Sequence, residues 1–207
     1  MSSFQRLLEK LTKAKAPGPT ASFFAPHLLL ALERIAAKPI GRNKLAEDLR
    51  IGEGVTRTLI DRLRNAKLID TSRAGCSLTP EGRRLFKEYQ SVIKKVKIEK
   101  NELTLEDFNY AVLVNSCASK VKTGIEQRDA AIMAGAKSAT TIVYKKGHLS
   151  FPSSNQELNG YLKASSQIET ILKPKEDDAI IIVGSDKAEK AEYGAVAAAL
   201  TLLDSGD

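Results

Sequence analysis

The stretch RNKLAEDLRIGEGVTRTLIDRLRNAKLIDTSRAGCSLT, residues 42–79, decides the fold of the N-terminal half. Residues 42–50 have the apolar spacing of a short amphipathic helix, and the IGEG segment after them contains two glycines, which permit a sharp turn. Residues 55–67 place their apolar side chains on one stripe at helical spacing: Val55, Leu59, Ile60, Leu63 and Ala66. The stretch therefore predicts two helices joined by a tight turn.

A short hairpin is expected after the second helix. Residues 68–72 and 76–79 are two β-prone runs, and a turn at Ala74-Gly75 joins them. Two helices, a turn and a hairpin in this order predict a winged helix-turn-helix, in which the hairpin is the wing.

The predicted fold binds DNA for a geometric reason. Its second helix fits the major groove and turns its polar side chains toward the base edges. The candidates for contacts from this helix are Arg57, Thr58, Asp61 and Arg64. The candidates for phosphate or wing contacts are Arg42, Lys44, Thr56 and Arg73. Some winged helices bind proteins or only support a neighbouring domain, so that alternative stays open.

These residues also carry a resemblance. The segments KLAEDLRIGEGVTRTLIDRLRNAKLI and LTPEGRRL resemble the winged-helix modules of bacterial and archaeal repressors, most closely those of the metal-dependent kind. Taken whole, the chain also resembles a family of uncharacterised archaeal winged-helix proteins, through this half and GIEQRDAAIMAGAKSATTIVYKKGHLSFP, residues 124–152. The resemblance implies a transcriptional regulator with a family-specific C-terminal domain, a sensor, and it brings no established activity.

Charge is distributed unevenly along the 207 residues, whose formal net charge is +7. Residues 1–102 contain 21 Lys and Arg against 11 Asp and Glu, whereas residues 103–207 contain 11 against 14. The basic half suits a polyanion such as double-stranded DNA, and the slightly acidic half does not. No membrane span, signal-peptide core or disulfide framework is visible, so we expect a cytoplasmic protein with no membrane partner.

The sequence divides into an N-terminal amphipathic segment (1–20), a winged-helix domain (21–100) and a C-terminal domain (101–207). Residues 1–15 predict a basic helix that packs on a domain or on a second subunit, and residues 25–38 predict the first helix of the winged-helix domain. After the wing, Thr79 is a good N-cap and Pro80 a good first residue for a helix that runs to about Lys97.

The apolar stripe of that last helix leaves two alternatives open. Leu85, Tyr89, Val92, Ile93 and Val96 lie on one face, which either pairs with the same helix of a second chain or packs on its own domain. A homodimer is expected, since a winged helix usually gains enough contacts for a specific site by dimerising. The lysines at 94, 95, 97 and 100 are expected to form a solvated face.

The C-terminal domain alternates between strands and helices. Strands are expected at 110–114, 140–144, 148–151 and 179–183, and helices at 128–136, 157–172 and 188–203. This order predicts a small α/β, sandwich-like domain with one sheet, and the whole chain belongs to the α+β class.

Two places in this domain are candidate ligand sites. Arg128 and Asp129 crowd the start of a helix, where an anion would be favoured, although an Arg128–Asp129 network within the domain is the alternative. Gly184, Ser185 and Asp186 follow an apolar strand, at the type of strand end where ligands gather, although Asp186 would also suit a helix cap. If the strands are parallel, Cys117 lies on the same edge of the sheet.

No catalytic motif, phosphate loop, dinucleotide fingerprint or metal-ligand spacing is visible, so we expect no catalytic residues, metal or cofactor. The favoured hypothesis is a DNA-binding transcriptional regulator whose C-terminal domain senses a small anionic effector or mediates dimerisation. The alternative is an enzyme acting on a small phosphorylated or carboxylated metabolite through the C-terminal domain, with the winged helix as an accessory.

Overall fold

The protein is described here from a computed structural model, in which the described residues are 11, 23–154 and 156–203. The fold class is α+β, as the sequence predicts, and the chain divides into two compact units, Met1–Gln90 and Ser91–Asp207. The helix expected over residues 1–15 and the break at 16–20 lie outside the described residues, apart from Leu11. Across the described ranges, no helix has the length and apolar character that a membrane crossing requires.

The first unit is the predicted winged helix-turn-helix. Its elements are α1 (Ala25–Ala37), α2 (Arg42–Leu49), α3 (Glu53–Asn65), the wing strands β1 (Ile69–Ser72) and β2 (Gly75–Leu78), and α4 (Pro80–Val92). Leucines from the first three helices fill its core, and each is at most 2% exposed: Leu28, Leu29, Leu32, Leu45, Leu49, Leu59 and Leu63. The apolar stripes therefore face inward, which leaves the polar side of α3 at the surface.

The turn between α2 and α3 is shorter than the sequence suggests. Arg50 ends α2 in the left-handed region, with φ 52°, and its N–H donates to the carbonyl of Glu47 at 3.1 Å. Helix α3 then begins at Glu53, so Gly54 lies inside its first turn rather than between the helices. The change of direction is made largely by Arg50, because neither Gly52 nor Gly54 has a positive φ.

The wing is fixed to the segment that precedes α2. Ile40 and Cys76 form an antiparallel bridge, with N···O distances of 3.1 and 2.8 Å. Gly75 has a φ of 113°, and a Cβ atom there would come within 2.5 Å of the carbonyl carbon of Ile40. Only glycine fits this close approach, which holds the wing beside the start of α2.

Helix α4 begins as predicted but ends early. The Thr79 hydroxyl accepts from the N–H of Gly82 at 3.0 Å, and Pro80 is the first helical residue, which confirms the expected cap. The helix stops at Val92 instead of about Lys97, because Ile93–Ile98 forms a strand that pairs with its neighbour. Tyr89 is buried and donates to Glu33 at 2.6 Å. The first part of the stripe thus packs on its own domain.

The second unit is built on a five-stranded antiparallel sheet in the order β3-β4-β7-β5-β6. The strands are β3 (Ile93–Ile98), β4 (Phe108–Val114), β5 (Ser138–Lys145), β6 (His148–Ser150) and β7 (Asp178–Ser185). The central strand β7 is buried along its whole length, which explains why its apolar run is continuous rather than alternating.

Helical layers cover both faces of this sheet. Helices α5 (Ile125–Met133) and α7 (Ala188–Thr201) pack together on one face. On the other face, α6 (Leu162–Gln167) continues into a π-helical turn, Ile168–Leu172, and closes a second core. Alternate residues of β7 serve the two cores, since Ile180 and Ile182 face the α6 side.

Several predicted boundaries in this unit were wrong. The helix expected at 128–136 is Ile125–Met133, and the one expected at 157–172 begins only at Leu162. Strand β3 was not predicted, and it belongs to the second unit, whereas the sequence places the domain boundary after residue 100. Those domain limits stay a prediction.

The antiparallel sheet also separates two segments that parallel strands would have joined. In the β4–β7 pair, Val114 lies opposite Ala179, and Phe108 lies opposite Ser185. Cys117 follows the first of these ends, while Gly184 and Ser185 lie at the other end. The shared edge on which the Cys117 suggestion depended is therefore absent from this pair of strands.

Candidate nucleic-acid interface

An open groove of about 450 Å³ lies between α3, the start of α2 and the wing. Of the eight residues predicted to contact DNA, the groove is lined by four: Arg42, Arg57, Asp61 and Arg73. These come from three elements that are far apart in sequence, and the Ile40–Cys76 bridge brings the wing to the helices. The structure thus gathers half of the predicted set in one concave surface.

The three arginines of this groove carry uncompensated charge. All three are exposed, and within the described residues none makes an ion pair or a hydrogen bond through its side chain. The one carboxylate in the lining, Asp61, is already bound to Arg64 at 2.9 Å. The groove is therefore a positively charged concavity, in which three planar guanidinium groups are available to an anionic partner.

Three other predicted residues lie outside this lining. Lys44 is exposed on α2, where Glu47 and Asp48 bind its ammonium group at 3.0 and 3.1 Å, and these hydrogen bonds raise the pKa of Lys44. Thr58 is exposed on α3, and its hydroxyl donates to the carbonyl of Gly54 at 3.1 Å. Arg64 is exposed and paired with Asp61. Of the residues predicted to contact DNA, Lys44 therefore has its charge neutralised most fully, because two carboxylates bind it.

The expectation for Thr56 was wrong. Thr56 is 0% exposed, and its hydroxyl donates to the carbonyl of Gly52 at 3.1 Å inside the unit. The residue faces the core because it lies four and seven positions before Ile60 and Leu63, which is the spacing of one helical face. That spacing is visible in the sequence and could have excluded Thr56 from the DNA contacts.

Sequence reasoning also missed polar residues that line the groove. Asn43 on α2 and Thr71 and Ser72 on the wing contribute to it, and each is exposed. The Ser72 hydroxyl accepts from the N–H of Ala74 at 3.1 Å and so shapes the wing turn. Asn43 and Ser72 are each adjacent in sequence to an arginine that was predicted to contact DNA, and this adjacency could have indicated that they line the groove.

Arg62 on α3 has a structural role. Its side chain is buried, its guanidinium lies 4.9 Å from the ring centre of Phe23, and it donates to the carbonyl of Leu11 at 2.5 Å. Leu11 itself is 7% exposed. This described residue of the N-terminal segment is therefore packed on the winged-helix unit.

The first candidate ligand site of the second unit forms an internal ion pair. Arg128 donates to the carboxylate of Asp129 at 3.0 and 3.2 Å, and both side chains are just over half exposed. This is the intradomain network that the sequence left as the alternative. The pair lies at the middle of α5, at the surface.

The second candidate ligand site is packed closed. Gly184 is buried, and a Cβ atom there would collide with Thr104, Asn109 and Glu106, so the sequence-based expectation of ligand contact at Gly184 was wrong. Ser185 is 0% exposed, and its hydroxyl donates to the Asp186 carboxylate at 3.2 Å, so the same correction applies to it.

Asp186 is the exposed end of this segment. Lys137 lies 3.3 Å from its carboxylate, and this contact is the main cause that lowers the pKa of Asp186. Asp186 does not cap α7, because the N-cap residue is Lys187. The Ser185 hydroxyl also donates to the carbonyl of Gly135, which follows α5, at 3.5 Å.

The four lysines expected to form a solvated face each contact a group of the second unit. Lys94 donates to the carbonyls of Ile171 and Leu172, and Lys95 pairs with Glu192 at 2.7 Å with both side chains about nine-tenths buried. Lys97 lies 5.7 Å from the ring centre of Phe108, and Lys100 pairs with Asp107 at 2.7 Å. Lys94, Lys97 and Lys100 are exposed, as expected, whereas the expectation was wrong for Lys95. These lysines belong to a strand and its continuation rather than to a helix surface.

The described residues hold no group of three or more His, Cys, Asp or Glu side chains with the geometry of a metal site. Cys76 and Cys117 are both free and buried, and burial raises the pKa of each thiol. The Sγ of Cys117 lies 3.8 Å from the carbonyl of Leu202, which fits the packing role expected of a small buried residue.

Comparison with known proteins agrees with the two-part organisation. Residues 31–93 match the family model of the CggR N-terminal DNA binding domain, and residues 105–202 match that of a domain of unknown function, DUF4443. The structure of hypothetical protein PH0730 from Pyrococcus horikoshii OT3 is similar, with a TM-score of 0.69 and 25% sequence identity over 87% of this chain and 93% of that chain. No curated protein matches the chain.

These similarities support a coarse functional statement. The N-terminal half is similar to a DNA-binding domain, which supports DNA as a partner and a role in transcription regulation. The C-terminal match is to a domain whose function is unknown. The structural neighbour is a hypothetical archaeal protein, which agrees with the archaeal resemblance expected from the sequence.

Proposed function

We propose that the protein is a transcription regulator that binds double-stranded DNA through α3 and the wing and that acts as a cytoplasmic homodimer. The observation that carries the DNA part is the groove in which Arg42, Arg57 and Arg73 converge, with no side-chain partner among the residues that the structure describes. Exposed guanidinium groups concentrated in one concavity are the electrostatic footprint of a polyanion site.

The shape of the groove suits one strand of the DNA backbone. When α3 lies in the major groove and the wing touches the flanking minor groove, the phosphate ridge between the two grooves passes between helix and wing. Arginine is well matched to such a ridge, since its planar group binds phosphate oxygens in a bidentate manner. We therefore assign Arg42, Arg57 and Arg73 to phosphate contacts.

Base contacts are then left to the exposed α3 residues that do not line the groove. Thr58 and Arg64 are exposed there, and Asp61 orients Arg64 through their ion pair. Arg64 suits a guanine edge, which is the commonest partner of arginine in the major groove. This assignment moves Arg57, a base-contact candidate in the sequence, to the backbone.

For the second unit we propose dimerisation as the main role. A small anionic effector is the less favoured role, because Arg128 and Asp129 bind each other and Ser185 is buried. An effector would also need different affinities for two arrangements of the dimer in order to change DNA binding. No contact among the described residues specifically favours the alternative of a metabolite-transforming enzyme.

The DNA part is tested by fluorescence anisotropy with a labelled random-sequence duplex, followed over a range of salt concentrations. Several phosphate contacts should make the affinity fall steeply with salt, by about 0.9 in the log–log slope for each phosphate neutralised. Selection of a specific site from a random pool would follow. Absent binding, or binding that does not change with salt, would contradict the proposal.

A further inference from the structure

Helix α5 presents an apolar stripe to solvent. Ile125 is 49% exposed, Ile132 is 43% exposed and Met133 is 89% exposed, although all three are large hydrophobic residues. The opposite side of the helix buries Gln127 and Ala131. Residues 125, 132 and 133 are spaced by seven and eight positions, so they lie on one face over two turns. Large apolar side chains that share one exposed helix face indicate an interaction surface.

The centre of the same face is charged, and its two charges have opposite sign. Arg128 and Asp129 lie between the apolar ends, both more than half exposed, with a 3.0 Å contact between them. Along the helix the order is therefore an apolar residue, a basic residue, an acidic residue and two apolar residues. Met133 lies one residue beyond a symmetric set of four, Ile125, Arg128, Asp129 and Ile132. Taken in the reverse direction, this set has the same order of apolar and charged residues, with the two signs exchanged.

That symmetry matches the surface to a copy of itself. A two-fold axis through the middle of α5 would set two helices antiparallel, with Ile125 facing Ile132 of the partner subunit. The same operation places Arg128 opposite Asp129 of the partner subunit, and Asp129 opposite Arg128 of the partner subunit. Two arginines and two aspartates then form a neutral cluster, closed at both ends by apolar side chains.

We propose that α5 is the dimer interface, and that its partner is the same helix of a second copy of this chain. The inference rests on the dimeric part of the proposed function and names the surface that carries it. The charge complementarity argues for a second copy over a small anion, since Asp129 would repel an anion that approaches Arg128. It also gives the Arg128–Asp129 pair a role between subunits.

The interface predicts weak self-association. A helix of nine residues is about 13.5 Å long, and the surface that it can bury falls short of the roughly 800 Å² per partner that is usual for a stable dimer. Two half-sites on one DNA molecule would strengthen the dimer, because the second contact is made within the same complex. Measurements on free protein therefore need concentrations on the order of 100 μM.

The test is a charge exchange followed by sedimentation velocity of the full-length protein. Arg128→Asp leaves four aspartates at the two-fold axis, and Asp129→Arg leaves four arginines. Each variant alone should dimerise at least tenfold more weakly than the wild type. An equal mixture of the two variants restores two opposite pairs across the axis, so it should form a dimer with nearly the affinity of the wild type.

The mixture separates a contact between subunits from a contact within one chain. Neither variant regains its internal pair on mixing, so only an intersubunit contact can be rescued. Met133→Asp, added to both variants, should abolish the rescue. Circular dichroism would confirm that every variant is folded. A monomeric wild type, single variants that dimerise normally, or a mixture that stays monomeric would each overturn the assignment.

DNA binding by these variants is measured separately with the random duplex. If the mixture dimerises and no variant binds DNA, the interface is supported and the DNA part of the proposed function fails. If all variants bind the duplex and the mixture stays monomeric, the interface assignment fails and the DNA part survives.

Discussion

The two units use their charged residues in different ways. In the groove of the first unit, Arg42, Arg57 and Arg73 are exposed, and no described residue binds their side chains. In the second unit, both buried and exposed lysines form ion pairs with carboxylates of the same unit. Lys95 pairs with Glu192 in the interior, and Lys100 pairs with Asp107 at the surface.

The difference shows that net charge alone does not locate a polyanion site. The lysines of β3 contribute to the basic first half of the sequence, yet each of them contacts a carbonyl, a carboxylate or an aromatic ring of its own unit. The arginines of the groove contribute no more charge than these lysines, but that charge is available to a partner. What matters is whether a charge is compensated within the fold.

The largest expected effect concerns the internal pair of the second unit. Lys95→Ala should lower the free energy of unfolding by about 3 kcal/mol, because it removes the cation that pairs with the buried Glu192 carboxylate. Denaturant unfolding measures the loss, and hydrogen exchange should place it in the second unit.

Lys100→Ala is the matched control for this change. It removes a lysine whose partner, Asp107, is 71% exposed, and it should cost less than about 1 kcal/mol. DNA binding should be the same in both variants, since neither residue lies in the groove. If the two substitutions lowered the free energy of unfolding equally, burial of an ion pair would make no difference to its contribution in this unit.

The next effect concerns the groove as a whole. Replacing Arg42, Arg57 and Arg73 together by alanine should lower the affinity for a random duplex on the order of 100-fold, because three phosphate contacts are lost. The control is the triple alanine variant of Lys145, Lys175 and Lys190, exposed residues of the second unit whose removal changes net charge equally. A similar loss in the control would show that only net charge matters.

A smaller effect separates two arginines of α3. Arg57→Ala should weaken binding to all duplexes by a similar factor, about fivefold, because Arg57 is assigned to a phosphate. Arg64→Ala should cost about 1–3 kcal/mol on the selected site and little on other sequences, if it binds a guanine edge. Competition assays with single-base variants of the site measure the difference. A sequence-dependent loss for Arg57→Ala and a uniform loss for Arg64→Ala would instead assign Arg57 to a base and Arg64 to a phosphate.

The smallest expected effect concerns Glu102, an exposed carboxylate that binds backbone N–H groups of its own unit. The Glu102 carboxylate accepts from the N–H groups of Lys163 and Ala164, each at 2.9 Å, and the Lys163 bond is the main cause that lowers the pKa of Glu102. Because the folded-state pKa is the lower one, this stabilisation is present above the unfolded-state value, about 4.3, and is lost as the pH falls through the folded-state value.

Glu102→Gln measures that contribution. The wild type should melt at a slightly higher temperature than the variant at pH 7, and the difference should shrink as the pH falls below about 4. Thermal unfolding at several pH values gives the comparison. A difference that does not depend on pH would show that the carboxylate charge contributes nothing to these two hydrogen bonds.

Much of the fold could be predicted from local patterns. The helices and wing of the first unit follow from apolar periodicity and turn residues, and the cap at Thr79 follows from its chemistry. Strand β3 could not be found in this way, because Ile93 and Val96 continue the helical stripe of α4. Its one neighbour in the sheet is β4, the next strand along the chain. Glu192, the partner of Lys95, is distant in sequence and visible only in the fold.

The candidate site was predictable in composition but not in arrangement. Arg42, Arg57 and Arg73 were chosen from the sequence, and their convergence depends on the close approach of Gly75 to Ile40, which no local pattern reveals. Thr56 was assigned to the wrong face although its spacing to Ile60 places it in the core. The antiparallel order of the sheet, set by distant pairings, removed the ligand site expected around Ser185.

The most direct test compares the salt dependence of DNA binding by the wild type and by the triple groove variant. If the three guanidinium groups bind phosphates, the magnitude of the log–log slope should fall by about 2.7 in the triple variant, at 0.9 for each lost contact. The control variant of Lys145, Lys175 and Lys190 should keep the slope of the wild type. Equal slopes for the wild type and the groove variant would contradict the central claim that this groove is where the protein holds DNA.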